Sequence, residues 1–226
     1  MSLEDKVELT KAVLRQVLYE HGPRRTAVAW TAGKDSTVVL WLWRLVLLEG
    51  GYGQALAVNL DTGAEFPEIM ALRDSLAEEW SLTLHVQVPE VDLPNYSLAA
   101  DKLKCCRDLK ILPLQRALVR LDIGALLTGL RRDEHPERAG RDTLEVRHSP
   151  NYIQVNPILD WTEMDVWAFT LEQGLPYCTL YDQGYRSLGC MPCTRLVDAL
   201  EQGGERCGRD QEKERRMETL RSMGYF

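Results

Sequence analysis

Two groups of residues in this chain have the types and spacing to do chemistry: a small-residue turn suited to an anion, and cysteines suited to a metal centre. The turn is Trp30-Thr31-Ala32-Gly33-Lys34-Asp35-Ser36-Thr37. It follows an apolar β-like run, Thr26 to Ala29, and opens an apolar helical run, Thr37 to Leu48. At such a helix start the backbone N–H groups point outward and the helix dipole favours negative charge. Gly33 lets a phosphate approach the backbone closely. Lys34 adds a positive charge, and Ser36 and Thr37 add hydroxyl donors. The pattern G-x-x-x-x-G-K-[ST] is absent, so this is a different kind of phosphate loop.

Six cysteines occur, at 105, 106, 178, 190, 193 and 207. Cys105-Cys106 and the C-x-x-C of Cys190 and Cys193 form two tight pairs far apart in sequence, the spacing of a four-thiolate metal centre. The C-x-x-C suits zinc or an iron–sulfur cluster. Adjacent cysteines diverge and chelate zinc poorly, whereas a cluster offers separate irons. A [4Fe–4S] cluster is therefore expected, with zinc and uncoordinated redox-active thiols as the alternatives. Arginine is dense in two places: Arg131, Arg132, Arg138 and Arg141, and later Arg206, Arg209, Arg215, Arg216 and Arg221. Arginine clusters in an acidic chain suggest a small anionic ligand.

The 226 residues suit one domain, and 45% hydrophobic content is enough for a core. The net charge of −7 gives no bulk attraction to nucleic acid or an anionic membrane. No run of apolar residues is long enough to span a membrane. The polar N-terminus lacks a signal peptide's apolar core, so a cytoplasmic location is expected.

Periodicity predicts the elements that must position these groups. A helix over 3–20 has one polar gap in its apolar stripe, Thr10. Strand 26–30 and helix 35–49 flank the turn. Strand 55–60, helix 67–80 and strand 82–88 follow, then an irregular region, a helix over 105–121 and a strand over 124–130. Strands alternating with helices predict a doubly wound, mostly parallel α/β sheet of Rossmann type. Ligands then sit beyond the strand C-terminal ends, where the 31–37 turn, Asp61-Thr62-Gly63 and Arg131-Arg132 all fall. Beyond 142 the pattern changes to a hairpin over 144–155, a helix capped by Thr162, and a loop-rich, partly helical end with a helix over 210–223. The expected organisation is one domain over 1–226. Residues 1–141 are the nucleotide-binding core and residues 142–226 are a segment covering substrate and cluster.

The stretch Thr31 to Ser36 resembles the S-G-G-x-D-S loop of the adenine-nucleotide α-hydrolases, or PP-loop proteins. Six segments in order resemble the phosphoadenosine-phosphosulfate and adenosine-phosphosulfate reductase family: Thr31 to Ser36, Leu60 to Glu68, Cys105 to Leu114, Thr128 to Asp133, Asn156 to Thr162, and Gly189 to Thr194. The resemblance implies an adenine-nucleotide α-hydrolase-like fold holding an adenosine 5′-phosphosulfate type ligand, with or without a 3′-phosphate. It implies nucleotide contacts from residues 31–37, Asp61, Thr62, Gly63 and Gly129, and cluster ligation by Cys105, Cys106, Cys190 and Cys193. Lys110 would reach cluster and sulfonate. Arg131 and Arg132 would hold phosphate or sulfate, and Arg206 and Arg209 phosphate. A homo-oligomer and a thioredoxin-like reductant are also expected.

Family reductases carry a C-terminal Glu-Cys-Gly-Leu-His tail whose thiolate attacks sulfur. This sequence ends Arg221-Ser222-Met223-Gly224-Tyr225-Phe226. Cys207, between Arg206 and Arg209, is the candidate nucleophile in its place. The ending, with Tyr185 to Cys190, instead resembles the small subunit of heterodimeric ATP sulfurylase, which leaves room for a large partner subunit. Three functions are expected in descending order. The first is sulfonucleotide reduction to sulfite and AMP or its 3′-phosphorylated form. The second is ATP-dependent adenylylation or sulfur transfer with pyrophosphate release, with Mg2+ if ATP is the substrate. The third is a nucleotide- or redox-sensing module.

Overall fold

The apolar runs of the sequence become the strands of one six-stranded sheet. The computed structural model describes residues 1–197 and 203–225. In chain order the elements are α1 (Leu3–His21), β1 (Thr26–Ala29), α2 (Lys34–Glu49), β2 (Leu56–Leu60), α3 (Pro67–Glu79), β3 (Thr83–Gln87), α4 (Lys102–Cys106), α5 (Leu112–Arg120) and β4 (Ala125–Leu127). A hairpin of β5 (Leu144–His148) and β6 (Asn151–Val155) follows, then α6 (Glu163–Glu172), α7 (Gln211–Arg215) and α8 (Met217–Ser222). The sheet order is β3-β2-β1-β4-β6-β5. All neighbours are parallel except β5 on β6. The sheet thus continues past residue 141, because β6 pairs with β4 in the register Ala125↔Ile153.

Strand order reverses around β1, whose neighbours are β2 and β4. A crevice opens at such a reversal because successive connections leave on opposite faces. The turn after β1 and the turn after β4 both enter it. One face of the sheet is covered by α1, α2 and α6 through Leu14, Val39, Trp43, Val166 and Phe169, and the other by α5 through Leu114, Ala117 and Leu118. Thr10 is buried because its hydroxyl donates to the Pro157 carbonyl (3.0 Å) and accepts from Trp161 Nε1 (3.1 Å). The polar gap in the α1 stripe is therefore a tie to the start of α6.

Two expected helices are interrupted. The 105–121 helix is α4, a π-helical turn over Arg107–Ile111, and α5. Pro113 has no N–H and its ring crowds the preceding turn, so a regular helix cannot run through it. The 210–223 helix breaks at Arg216 (φ −105°, ψ 13°), and buried Lys213 on α7 and Met217 and Leu220 on α8 all turn inward. No helix among the described residues is long and apolar enough to cross a membrane.

Candidate functional site

The 31–37 turn closes on itself through its own side chains. The Ser36 hydroxyl accepts from the Thr31 N–H (3.2 Å) and donates to the Gly33 carbonyl (3.1 Å). The Thr37 hydroxyl accepts from Trp30 Nε1 (3.1 Å). The left-handed residue is Ala32 (φ 55°), whereas Gly33 is extended (φ −75°). The backbone therefore reverses at Ala32, one residue before Gly33. Gly129, after β4, lies against the start of α2: a Cβ there would sit 2.8 Å from the Ser36 nitrogen. Its role is to let two backbones meet.

Behind the turn lies a buried lattice of four charges. Lys34 Nζ pairs with Asp35 (3.0 Å) and with Glu205, and Arg131 pairs with Asp35 (2.6 Å) and with Glu205. The Lys34 and Arg131 side chains are 1% and 0% exposed. Burial pushes both cations down, but Asp35 foremost and Glu205 raise them above their ordinary values. Burial pushes the Asp35 carboxyl up, and Lys34 and Arg131 hold it below the usual carboxylate range. The Lys34 N–H, one of the outward donors of the turn, gives its bond to the Tyr181 hydroxyl (3.2 Å). Burial pushes this phenol up to about 12.

An open cleft runs from this turn. Thr31, Gly33, Ser36, Asn59, Ile69, Arg138, Arg206 and Arg209 are among the residues that line it. Arg206 makes a two-pronged contact with Glu214 (2.8 Å each), and Arg138 pairs with Glu134. Arg209 lies against Gly189, where any Cβ would overlap its guanidinium, and its Nε has no hydrogen-bond partner among the described residues. Burial, then Arg206, pushes Arg209 below its ordinary range. This end of the cleft therefore favours an anion.

Lys110 and Cys190 line both the cleft and a second, smaller cavity, which also carries Cys105, Cys106, Cys193 and Lys213. The two cysteine pairs are thus brought together by the α4 end and the Cys190–Cys193 turn. Among the described residues, no three thiols lie within 4.8 Å of one another. The donor set is all cysteine sulfur, with no oxygen or imidazole ligand, and this fits an iron–sulfur group. Asp35, Glu134 and Glu205 do converge within 4.8 Å, but lysine and arginine partners already engage each of them.

Several expected residues stand outside the cleft lining. Thr62 is fully buried, bonded to Glu65 (2.6 Å) and 3.6 Å from Cys190 Sγ, so its turn supports the thiol cavity. Asp61 accepts from the Gly63 N–H (3.0 Å) and faces Arg73 (3.5 Å). Arg132 points away from Arg131, to Asp160 (3.0 Å) and the Arg141 carbonyl (2.8 Å), because adjacent side chains on extended backbone diverge. Cys207 is half-buried on the turn closed by its N–H to the Gly204 carbonyl (3.0 Å) and does not line the cleft. Its flanking Arg206 and Arg209 face Glu214 and Ser187 rather than the thiol. Sequence reasoning missed Glu205, Tyr181, Tyr225 and Lys213. A carboxylate on a distant turn and tyrosines in irregular loops have no periodicity to betray them.

A family model described as phosphoadenosine phosphosulfate reductase domain matches residues 25–196. The chain is 35% identical over 149 residues to the adenosine 5′-phosphosulfate reductase of Bacillus pumilus, covering 62% of this chain and 63% of that protein. It is 33% identical over 187 residues to the phosphoadenosine 5′-phosphosulfate reductase of Xanthomonas campestris, covering 78% and 74%. It thus spans less than two thirds of the Bacillus relative's length. The solved phosphoadenylyl-sulfate reductase of Candida auris has the same fold, with a TM-score of 0.66 at 24% identity over 87% of this chain and 98% of that one. The cleft beside the 31–37 turn and the thiol cavity share Lys110 and Cys190, and the match runs through both: the chain belongs to the phosphoadenosine phosphosulfate reductase domain family.

Proposed function

We propose that this protein reduces a sulfonucleotide, adenosine 5′-phosphosulfate or its 3′-phosphorylated form, to sulfite. The observation that carries this reading is the position of Lys110. It is half-buried where the cleft meets the four-thiol cavity, and although burial pushes it down, Cys190 and Tyr225 raise it above its ordinary value. A permanent cation there stabilises the negative charge of a sulfonate as it is transferred. Cys105, Cys106, Cys190 and Cys193 would hold a [4Fe–4S] cluster. Its chemistry would be electrostatic, a charged surface of sulfide and iron beside Lys110.

The nucleotide's base and ribose lie along Asn59, Leu60 and Ile69, and its phosphate faces the 31–37 turn and the arginines. A cysteine thiolate attacks the sulfur. The S–O bond to the phosphate breaks, and AMP, or its 3′-phosphorylated form, leaves with the electron pair. A reduced dithiol protein of the thioredoxin type then releases sulfite from the S-sulfonate and becomes a disulfide. Four thiols belong to the cluster set and Cys178 is enclosed in the core. Of the six cysteines in this sequence, Cys207 is our candidate for the attacking thiol. It is two residues from Glu205, which touches the phosphate turn.

The test is sulfite formation by anaerobically purified protein given adenosine 5′-phosphosulfate and reduced thioredoxin, with the Cys207→Ser variant beside it. Sulfite from the parent alone is expected. No sulfite from iron-loaded parent protein would end the reductase reading, and pyrophosphate release from ATP would replace it with nucleotidyl transfer.

A further inference from the structure

The cations that a phosphate loop should offer to its ligand are already occupied. Lys34 and Arg131 are both bound to Glu205, which arrives from a distant segment. The carboxylate is 3% exposed and the two cations are less exposed still. With Asp35, and with Asp133, which also pairs with Arg131 (3.3 Å), the two cations meet three carboxylates. Lys34 and Arg131 therefore offer no unpaired positive charge to an incoming anion. The Tyr181 hydroxyl likewise takes the Lys34 N–H. No phosphate oxygen can reach either cation while Glu205 lies between them.

We propose that Glu205 is a tethered competitor for the ligand's phosphate: it fills the anion position of the free protein and leaves when a phosphate-bearing ligand binds. The chemistry of exchange is balanced, since one oxyanion replaces another on the same two cations. Without Glu205 the two buried cations would share Asp35 as their one common partner, an unfavourable excess of buried positive charge, so the free protein keeps its turn formed by holding its own carboxylate there. Displacement has a consequence for the neighbours. Glu205 sits on the turn in which the Cys207 N–H bonds the Gly204 carbonyl, and a Cβ on Gly204 would meet nothing within 4 Å. Arg206, the next residue, lines the cleft. Release of Glu205 thus frees the turn that carries Arg206 and Cys207. Anion binding and the position of that thiol become coupled, and by linkage each biases the other. This deepens the reductase reading by giving Cys207 a route toward the cleft, and it rests on that reading only for this last step.

The experiment measures anion affinity calorimetrically on the anaerobic full chain, with inorganic pyrophosphate and AMP as probes and adenosine as the phosphate-free control. Removing the competing charge in Glu205→Gln should tighten both probes by about tenfold, the scale of one charge-assisted contact, and leave adenosine unchanged. The variant should also melt at a lower temperature than the parent, and pyrophosphate should restore it. In the parent protein, amide hydrogen exchange over 203–210 should speed up when pyrophosphate is added. Probe affinities equal to or weaker than the parent's, or no tightening because neither protein binds, would make Glu205 a fixed strut and overturn the proposal. Should Glu205→Gln not fold, the exchange measurement on the parent decides alone: unchanged protection at saturating pyrophosphate refutes displacement. Because the readouts are anion binding and exchange, a failure to form sulfite would remove the reductase reading and leave this one standing.

Discussion

Lys110 and Cys190 each line both the cleft beside the 31–37 turn and the thiol cavity. Burial pushes the Cys190 thiol up, but Lys110 and then Lys213 outweigh it and hold the thiol below its ordinary value. The π-helical turn over Arg107–Ile111 is what aims Lys110 at this point. Lys110→Met should lower sulfite formation by about 10²–10³-fold, the usual cost of losing one preorganised charge contact. Iron content, measured on the same sample, should be retained.

Arg131 joins the two halves of the site, with Asp35 from the phosphate turn on one side and Glu205 from the C-terminal segment on the other. Arg131→Met leaves two buried carboxylates short of a partner. A loss of about 3–5 kcal/mol in unfolding free energy is expected for a broken buried pair. Urea denaturation checks it, and a loss under about 1 kcal/mol, typical of surface pairs, would contradict the buried lattice.

At Gly129 the β4 turn touches the start of α2 through backbone alone. Gly129→Ala must push the phosphate turn aside, so AMP affinity should fall by about tenfold or more, given how steeply positioning depends on fractions of an ångström. Gly140→Ala, where a Cβ meets nothing within 4 Å, serves as the control and should bind normally.

The C-terminal helices are held by carboxylates. Burial raises Asp210 and Glu214, but the Lys213 N–H and Lys102 hold Asp210, and Arg206 holds Glu214, below the usual carboxylate range. A depressed carboxyl contributes stability that is complete above its unfolded value, about 4, and is lost as pH falls through its folded value. Hydrogen exchange over 211–222 should therefore be slow at pH 6 and accelerate below about pH 4. Asp210→Asn with Glu214→Gln should remove most of that pH dependence.

Cys105, Cys106, Cys190 and Cys193 converge on one cavity, while Cys207 does not line it. Serine at any of the four should lose bound iron and the broad visible absorption of a cluster. Cys207→Ser should keep both and lose sulfite formation. Iron and sulfide analysis of the five variants decides between this division of roles and any other.

Much of the fold was legible in the chain. The runs 26–30 and 55–60 are continuous and apolar because central parallel strands are buried on both faces, and their short small-residue turns announced a site at the strand ends. The cysteine pairs pointed to a shared thiol cavity because tight local spacing brings two sulfurs to one place at once. The tertiary structure decided the rest. Glu205 meets Lys34 and Arg131 only because the C-terminal segment folds back across the sheet's reversal point. Lys110 faces two cavities only because Pro113 forces a wide turn before it. Arg132 turns away although it adjoins Arg131, and Cys207 stands off the cleft although arginines flank it in sequence. Local pattern sets which backbone forms and which side is apolar. Which distant charges share a buried space depends on how the connections cross, and periodicity carries no record of that.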